Sequence, residues 1–141
     1  MSVKFKTQTR IKFRDADPAQ IMYFANVFSL AHDAFEEFIV SAGYRYAEWF
    51  SKNDHLIPIR HAEADFKAPF VPGQTYDVTA VVASLGTTSF KMKYDFTQND
   101  RLHSTVYMVH TVLDPKTQQK MALPEVMKKR LTPYVEENHG N

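Results

Sequence analysis

Two aspartates lie close together in a short segment that separates two regular elements. Asp15 and Asp17 fall within Arg14-Asp15-Ala16-Asp17-Pro18. A carboxylate beside unpaired backbone N–H groups at a helix start could attack a carbonyl or activate water while those groups polarise the carbonyl. The same residues suit a cap on a helix or a turn, with Pro18 at the first helical position. Both interpretations stay open on the residues alone, and capping is the commoner use of such an aspartate.

Other polar residues give weaker indications of chemistry. Asp15 and Asp17 could share a cation, but no third ligand can be placed near them, so no metal site is predicted. His61 and Glu63 lie on one face of a predicted strand. Either could orient a substrate, although a structural hydrogen bond is the commoner role for such a pair.

The residues that flank the two aspartates indicate the elements that position them. Lys4 to Phe13 alternates polar and apolar residues, which predicts a strand with Phe13 on its apolar face. Apolar residues then recur at steps of three and four from Phe24 to Ala42, which predicts an amphipathic helix of roughly 20 residues. Gly43 is the expected helix stop.

Further along the chain, the pattern returns to strands. A short helical or irregular stretch is expected around Tyr46 to Lys52, and Glu125 to Leu131 predicts a short C-terminal helix. The four predicted strands are Ile57 to Ala68, Tyr76 to Leu85, Thr88 to Thr97 and Leu102 to Leu113. This order predicts one α+β domain over residues 1–141, with a mostly antiparallel sheet packed on the long helix.

The composition excludes several classes of function. The 141 residues include no cysteine, so a disulfide framework is excluded and a cytoplasmic location is expected. The net charge is +1 with no concentrated basic face, which argues against nucleic-acid binding. No apolar run is long enough to predict a membrane span, and the N-terminus lacks the apolar centre of a signal peptide.

The aspartate segment resembles the signature of the 4-hydroxybenzoyl-CoA thioesterase family. The matching residues are Asp15-Ala16-Asp17-Pro18-Ala19, then Ile21, then Tyr23-Phe24, then Asn26. The likeness extends over nearly the whole chain. It includes Asp65-Phe66-Lys67-Ala68-Pro69, Pro72-Gly73-Gln74-Thr75-Tyr76, Ser84-Leu85-Gly86-Thr87-Thr88-Ser89-Phe90 and Leu123-Pro124-Glu125.

The resemblance implies a hotdog fold, in which a five-stranded antiparallel sheet wraps around one long central helix. It implies hydrolysis of an acyl-CoA thioester, with coenzyme A as part of the substrate and no separate cofactor. Asp17 would act as nucleophile or general base, and the backbone N–H of Phe24 would hold the thioester carbonyl. It also implies a homo-oligomer, a dimer or a homotetramer of two dimers, with each site between subunits. The expected substrate-binding residues are Gln20, Tyr23, His61, Lys91 and Lys93.

Two departures from the family pattern qualify these expectations. Gln20 stands where the family has a glycine, so it could crowd the thioester or donate a hydrogen bond to it. Gly86-Thr87-Thr88 replaces a basic cluster that binds nucleotide phosphates in some members, so that contact would have to come from elsewhere, for example from Lys91, Lys93, Arg60 or Lys67. An acyl carrier protein as the carrier, and a non-catalytic acyl-thioester binding module, therefore remain alternatives. A hydratase is a third, although no hydratase motif is visible.

Overall fold

Five antiparallel strands form the sheet in the order β1-β3-β4-β5-β2, so that β1 and β2 are its edges. The computed structural model describes residues 3–50 and 54–136. The strands are β1 (Phe5–Arg10), β2 (Ile59–Phe66), β3 (Thr75–Leu85), β4 (Ser89–Gln98) and β5 (Arg101–Thr111). The helices are α1 (Asn26–Ser41), α2 (Tyr46–Trp49) and α3 (Glu125–Leu131), with 3₁₀ turns at Phe13–Asp15 and Thr132–Tyr134. None of the helices in these two described ranges is long and apolar enough to cross a membrane.

The helix α1 packs on one face of the sheet, which we call the helix side, and the opposite face is called the outer face. Strand β4 shows why the layers form, because every second residue is apolar and turns towards the helix side. Its buried residues are Phe90, Met92, Tyr94 and Phe96. From α1, the buried residues are Val27, Leu30, Ala31, Ala34, Phe35, Phe38 and Ile39. The predicted two-residue alternation of the strand and the predicted three- and four-residue spacing of the helix are therefore confirmed.

The predicted start of the long helix is wrong by two residues, and α1 has 16 residues rather than about 20. The N–H of Asn26 donates to the carbonyl of Tyr23 at 3.0 Å, and the N–H of Val27 donates to Phe24 at 3.2 Å. These bonds span three residues, so Phe24 lies in a tight turn that leads into the helix. At the other end, Gly43 has φ +109° and ends the helix as predicted.

The predicted end of the first strand is also wrong, because β1 stops at Arg10. The N–H of Lys12 donates to the Asp15 carboxylate at 2.9 Å, and the N–H of Asp15 donates back to the Lys12 carbonyl at 2.9 Å. This reciprocal pair closes a 3₁₀ turn. Phe13 lies in it and is 93% exposed rather than buried on the strand's apolar face.

The remaining elements follow the prediction closely. Helix α3 has the predicted bounds. Strand β2 is shorter than predicted by two residues at each end, and its neighbour β5 stops at Thr111 rather than Leu113. A helical or irregular stretch was expected from Tyr46 to Lys52. Helix α2 occupies residues 46–49 of it, and residues 51–53 lie outside the described ranges.

Candidate active site

Asp17 caps a turn of its own rather than the helix. Its Oδ1 accepts a hydrogen bond from the N–H of Ala19 at 2.8 Å, and its carbonyl accepts one from the N–H of Gln20 at 2.9 Å. The N–H of Asp17 donates to the carbonyl of Ile21 at 3.1 Å, which closes the loop. Since α1 begins nine positions later, the expectation that Asp17 caps this helix with Pro18 at its first position is wrong, and the turn-cap alternative holds.

Gln20 adopts the left-handed backbone conformation that favours glycine. Its φ is +68°, which brings Cβ close to the following carbonyl oxygen in any L-residue. The loop therefore keeps the conformation that the family glycine would allow, at a cost in backbone strain. The Gln20 side chain is exposed, and no hydrogen-bond partner for it is found among the described residues.

Three hydrogen bonds attach the loop to the rest of the molecule. The carbonyl of Asp15 accepts the N–H of Tyr23 at 2.7 Å and the side-chain Nδ2 of Asn26 at 2.8 Å. The N–H of Met22 donates to the carbonyl of Phe70 at 2.9 Å. The positioning role of Asn26 was not predicted, although the residue belongs to the signature. The contact with Phe70 has no sequence signal, because it joins residues 48 positions apart through backbone atoms.

The anchored loop leaves two polar groups without a protein partner. Within residues 3–50 and 54–136, no acceptor lies in hydrogen-bond range of the Phe24 N–H, and Asp17 Oδ2 accepts no bond. Asp17 is half-buried. A free N–H can polarise a carbonyl oxygen, and a carboxylate with a free oxygen can attack a carbonyl carbon or take a proton from water.

An apolar cleft lies beside Phe24, and Ile21, whose carbonyl accepts the Asp17 N–H, also lines it. It has a volume of about 380 Å³ and is lined by Ile21, Phe24, Phe66 and Phe70, among others. The rings of Phe24 and Phe66 meet edge to face, with centroids 6.4 Å apart. Tyr23, a predicted substrate-binding residue, packs its ring 5.0 Å from Phe24 and is 46% exposed. Asp17, Gln20, Tyr23 and Phe24 are thus brought into one region on the helix side.

The other predicted binding residues lie on the outer face and are not brought to Asp17 within this chain. His61 Nε2 is 3.3 Å from Glu63 Oε1, and Lys91 Nζ is 4.0 Å from the same oxygen. Lys93 Nζ is 3.1 Å from Glu136 Oε1. Burial lowers the pKa of Lys93, but the hydrogen bond with Glu136 and the charge of nearby carboxylates outweigh burial and raise the pKa above its usual value. Each of these three side chains therefore already has a glutamate as its partner.

In the described part of the chain, no three His, Asp or Glu side chains come close enough to hold a metal ion. The two aspartates of the loop instead serve as acceptors for nearby backbone groups. The Asp15 carboxylate binds the N–H of Lys12, and the Asp17 carboxylate binds the N–H of Ala19.

Comparison with known proteins identifies the group to which this architecture belongs. Residues 11–131 match the family described as the thioesterase-like superfamily. A 1,4-dihydroxy-2-naphthoyl-CoA hydrolase of Synechococcus elongatus is 31% identical over 122 residues, which cover 86% of this chain and 90% of the relative.

Solved structures share the fold. A 1,4-dihydroxy-2-naphthoyl-CoA thioesterase from Synechocystis superposes with a TM-score of 0.84 at 22% identity, covering 92% of this chain and 96% of the other. A Staphylococcus aureus protein in complex with CoA superposes with a TM-score of 0.86 at 16% identity, covering 100% of this chain and 91% of the other. The predicted thioesterase hotdog fold, with its five-stranded antiparallel sheet, is confirmed, and so is the predicted class of enzyme, an acyl-CoA thioesterase. The chain belongs to the thioesterase-like superfamily.

Proposed function

We propose that this enzyme hydrolyses an aromatic acyl-CoA thioester, with Asp17 as the reacting carboxylate and the Phe24 N–H as the group that binds the carbonyl oxygen. The observation that carries the proposal is the pair of unused groups beside the apolar cleft. The loop is fully tied by its own hydrogen bonds, yet it leaves the Phe24 N–H and Asp17 Oδ2 without partners in the described residues. Both groups are therefore available to a thioester bound in the cleft.

Two chemical routes are compatible with these groups. In the first, Asp17 Oδ2 attacks the thioester carbon, the C–S bond breaks, and the thiolate leaves with the electron pair. Water then cleaves the resulting mixed anhydride and restores the carboxylate. In the second, Asp17 takes a proton from water as the water attacks the same carbon, and the C–S bond then breaks to release the thiolate, which takes up the proton held by Asp17. In both routes the Phe24 N–H stabilises the negative charge that develops on the carbonyl oxygen.

The proposed acyl group is a hydroxylated aromatic ring system. The relatives named above act on 1,4-dihydroxy-2-naphthoyl-CoA according to their names, and the aromatic lining of the cleft suits such a group. The finer resemblance to the 4-hydroxybenzoyl-CoA thioesterase family makes 4-hydroxybenzoyl-CoA the second substrate to test. We favour CoA over an acyl carrier protein because these relatives are named for CoA thioesters.

The active form is proposed to be a dimer built through the edge strand β2. Nearly every residue of β2 is exposed in the single chain, although the strand continues the sheet beside β5. An exposed edge of this kind can pair with the same strand of a second copy and extend the sheet across both subunits. Such pairing would place His61 of the partner subunit near the subunit boundary, where it could contact substrate. A tetramer of two dimers is the larger alternative.

We propose that Lys91 and Lys93 contact the phosphates of CoA. Both carry positive charge on the outer face, and Lys91 is also held 4.5 Å above the ring of Tyr107. Their existing partners, Glu63 and Glu136, would have to release them, so we expect the contribution of each lysine to be small. The cytoplasmic location likewise stays a prediction.

The deciding experiment compares the native chain with Asp17→Asn. Asparagine keeps the side-chain oxygen that accepts the Ala19 N–H, so the turn is preserved while the carboxylate is lost. Thiol release from 1,4-dihydroxy-2-naphthoyl-CoA and 4-hydroxybenzoyl-CoA should fall by about a hundredfold or more in kcat, with the melting temperature unchanged. Asp15→Asn is the matched control, because it also keeps its backbone acceptor, and it should retain kcat within about tenfold.

A non-catalytic binding module is the alternative that this experiment can establish. In that case, Asp17→Asn and the native chain would show the same slow background rate while both bind the acyl-CoA. A loss of about 1 kcal/mol of stability with unchanged turnover would instead assign Asp17 to the turn alone.

A further inference from the structure

A lysine lines the apolar cleft beside Phe24. Among the described residues, Lys67 is the one charged member of the lining, and the others are Ile21, Met22, Phe24, Phe66, Ala68, Pro69 and Phe70. Lys67 directly follows Phe66, so it belongs to the same wall of the cleft as that ring. The cleft therefore combines aromatic walls with one ammonium group, which has three N–H donors.

The backbone at Lys67 accounts for its place on the cleft side. Residues alternate between the two faces along a strand, so Lys67 would point to the outer face if β2 continued past Phe66. Instead, the N–H groups of Lys67 and Ala68 both donate to the carbonyl of His103, at 2.8 Å and 3.2 Å. Two residues opposite one are typical of a β-bulge, which redirects side chains. The alternation is therefore broken where the strand meets the cleft.

Hydrogen bonds hold the segment that follows the bulge. The Nδ1 of His103 donates to the carbonyl of Pro69 at 2.9 Å. The carbonyl of Phe70 accepts the N–H of Met22 at 2.9 Å, which joins this segment to the aspartate loop. The position of the Lys67 backbone relative to the aspartate loop is therefore fixed before any ligand binds.

The Lys67 ammonium has no carboxylate partner in the described part of the chain. Lys91, Lys93 and Lys128 each lie within 4.0 Å of a glutamate, whereas no carboxylate in residues 3–50 and 54–136 lies that close to Lys67. A ligand that binds this ammonium therefore breaks no ion pair. An oxygen that accepts from an ammonium makes a charge-assisted hydrogen bond, which is stronger than a bond between neutral groups.

A hydroxyl on the acyl ring is the acceptor that fits this position. The proposed function places the thioester carbonyl at the Phe24 N–H, and the rings of Phe24 and Phe66 then flank the acyl ring. By ordinary bond lengths, a hydroxyl at position 4 of a benzoyl or 2-naphthoyl group lies roughly 5–6 Å from the carbonyl carbon, within the same cleft. The CoA phosphates are separated from that carbon by the whole pantetheine arm.

We propose that Lys67 is a specificity-determining residue whose ammonium donates a hydrogen bond to a ring hydroxyl of the acyl group. The inference rests on the proposed function, because it takes the position of the carbonyl from there. The positive charge also favours the phenolate form of the hydroxyl. An unsubstituted ring leaves the ammonium without this partner, so the cleft discriminates against such a ring.

The test measures binding rather than turnover. The probes are two naphthacyl-CoA thioethers, one with a hydroxyl at ring position 4 and one without, in which a methylene between sulfur and carbonyl prevents hydrolysis. Calorimetry gives Kd for both on the native protein and on Lys67→Met, which keeps a flexible apolar side chain. We expect the native protein to bind the hydroxylated probe at least about fivefold more tightly, and Lys67→Met to reduce this ratio to about twofold or less.

Two further variants and a second measurement support this comparison. Lys67→Gln, which is also uncharged, should reduce the ratio as Lys67→Met does. Lys129→Met, at an exposed lysine of α3, is the matched control and should keep the native ratio. The phenol pKa of the bound hydroxylated probe, followed by phenolate absorption, should be lower on the native protein than on Lys67→Met.

The inference is overturned if Lys67→Met keeps the native ratio, if the native protein has no preference, or if it binds neither probe. It is also overturned if Lys67→Met weakens both probes by the same factor, because that result would assign the ammonium to the phosphates of CoA. Failure of the proposed function is a separate result, in which the probes bind with the expected ratio but the corresponding thioesters release no thiol.

Discussion

The two faces of the sheet hold polar side chains in opposite states. On the outer face, His61 and Lys91 both contact Glu63, and Lys93 is paired with Glu136. On the helix side, His110 and the Phe24 N–H have no partner in the described chain, and Asp17 uses only one of its carboxylate oxygens. The outer groups satisfy one another in water, whereas the helix-side groups are unpaired, with His110 buried and Asp17 half-buried.

This difference indicates which groups contribute most to the binding free energy of a ligand. When a ligand hydrogen-bonds a free group in a partly desolvated cleft, no hydrogen bond within the protein has to break. The low local dielectric also strengthens the new bond. A contact with an exposed, already paired lysine must break an existing pair and compete with water. Substitutions of these unpaired groups should therefore have larger effects than those of the paired residues on the outer face.

The largest effect outside catalysis is expected in the pH dependence of stability. The pKa of His110 is lowered from 6.5 to about 3 in the folded protein. Between these values the unfolded chain binds a proton that the folded chain does not, so stability is lost as the pH falls through 6.5. The loss is about 1.4 kcal/mol per pH unit, or about 2 kcal/mol at pH 5.

Urea unfolding at pH 7 and pH 5 measures this loss. His110→Phe should remove it, because phenylalanine does not titrate. His61→Gln, on the outer face, is the control and should leave the native pH dependence in place. An identical loss of stability in the native protein and in His110→Phe would contradict the contrast between the two faces.

A smaller effect is expected from the outer face. The double variant Lys91→Met with Lys93→Met should raise KM for the acyl-CoA by less than about tenfold at low salt, with kcat unchanged. Added salt should reduce the difference, because exposed charges are screened. Lys129→Met, an exposed lysine of α3, is the matched control. A fall in kcat for the double variant would show that the outer face takes part in the chemical step.

The smallest effect concerns the loop itself. Gln20→Gly should stabilise the protein by about 0.5–1 kcal/mol, because glycine adopts φ +68° without the Cβ clash. The greater conformational freedom of glycine in the unfolded chain offsets part of this stabilisation. Gln118→Gly is the matched control, since Gln118 has φ +60° in another loop. Both variants should raise the urea midpoint by a similar amount. A decrease for Gln20→Gly alone would indicate that the Gln20 side chain contributes contacts to the loop.

The comparison of prediction and structure separates local signals from tertiary ones. The bounds of α3 and the alternation of β4 were predictable, because an apolar residue at every second or every third to fourth position leaves little choice of which face is buried. The start of α1 was not, because the turn at Tyr23 to Ala25 continues the helical apolar pattern with hydrogen bonds of a different span. Phe13 was misplaced because the Lys12–Asp15 turn overrides the strand alternation.

The candidate site divides in the same way. The signature around Asp17 located the loop and indicated the superfamily, since a specific order of residues carries that information. It could not decide between a cap on the helix and a cap on a turn, because the Ala19 bond depends on backbone angles that many sequences allow. The burial of His110 without a polar partner had no sequence signal, since a histidine in an alternating strand reads as an ordinary strand residue.

Local order in the chain was sufficient for the strand and helix types, the aspartate loop and the enzyme class, because periodicity and a short motif act over neighbouring residues. Tertiary structure alone decided that Lys91, Lys93 and His61 lie on the outer face, away from the cleft at Phe24, and that His110 is buried against Phe35 and Phe90. Side-chain direction in a strand alternates with each residue, so which face meets α1 depends on how all five strands pair and pack.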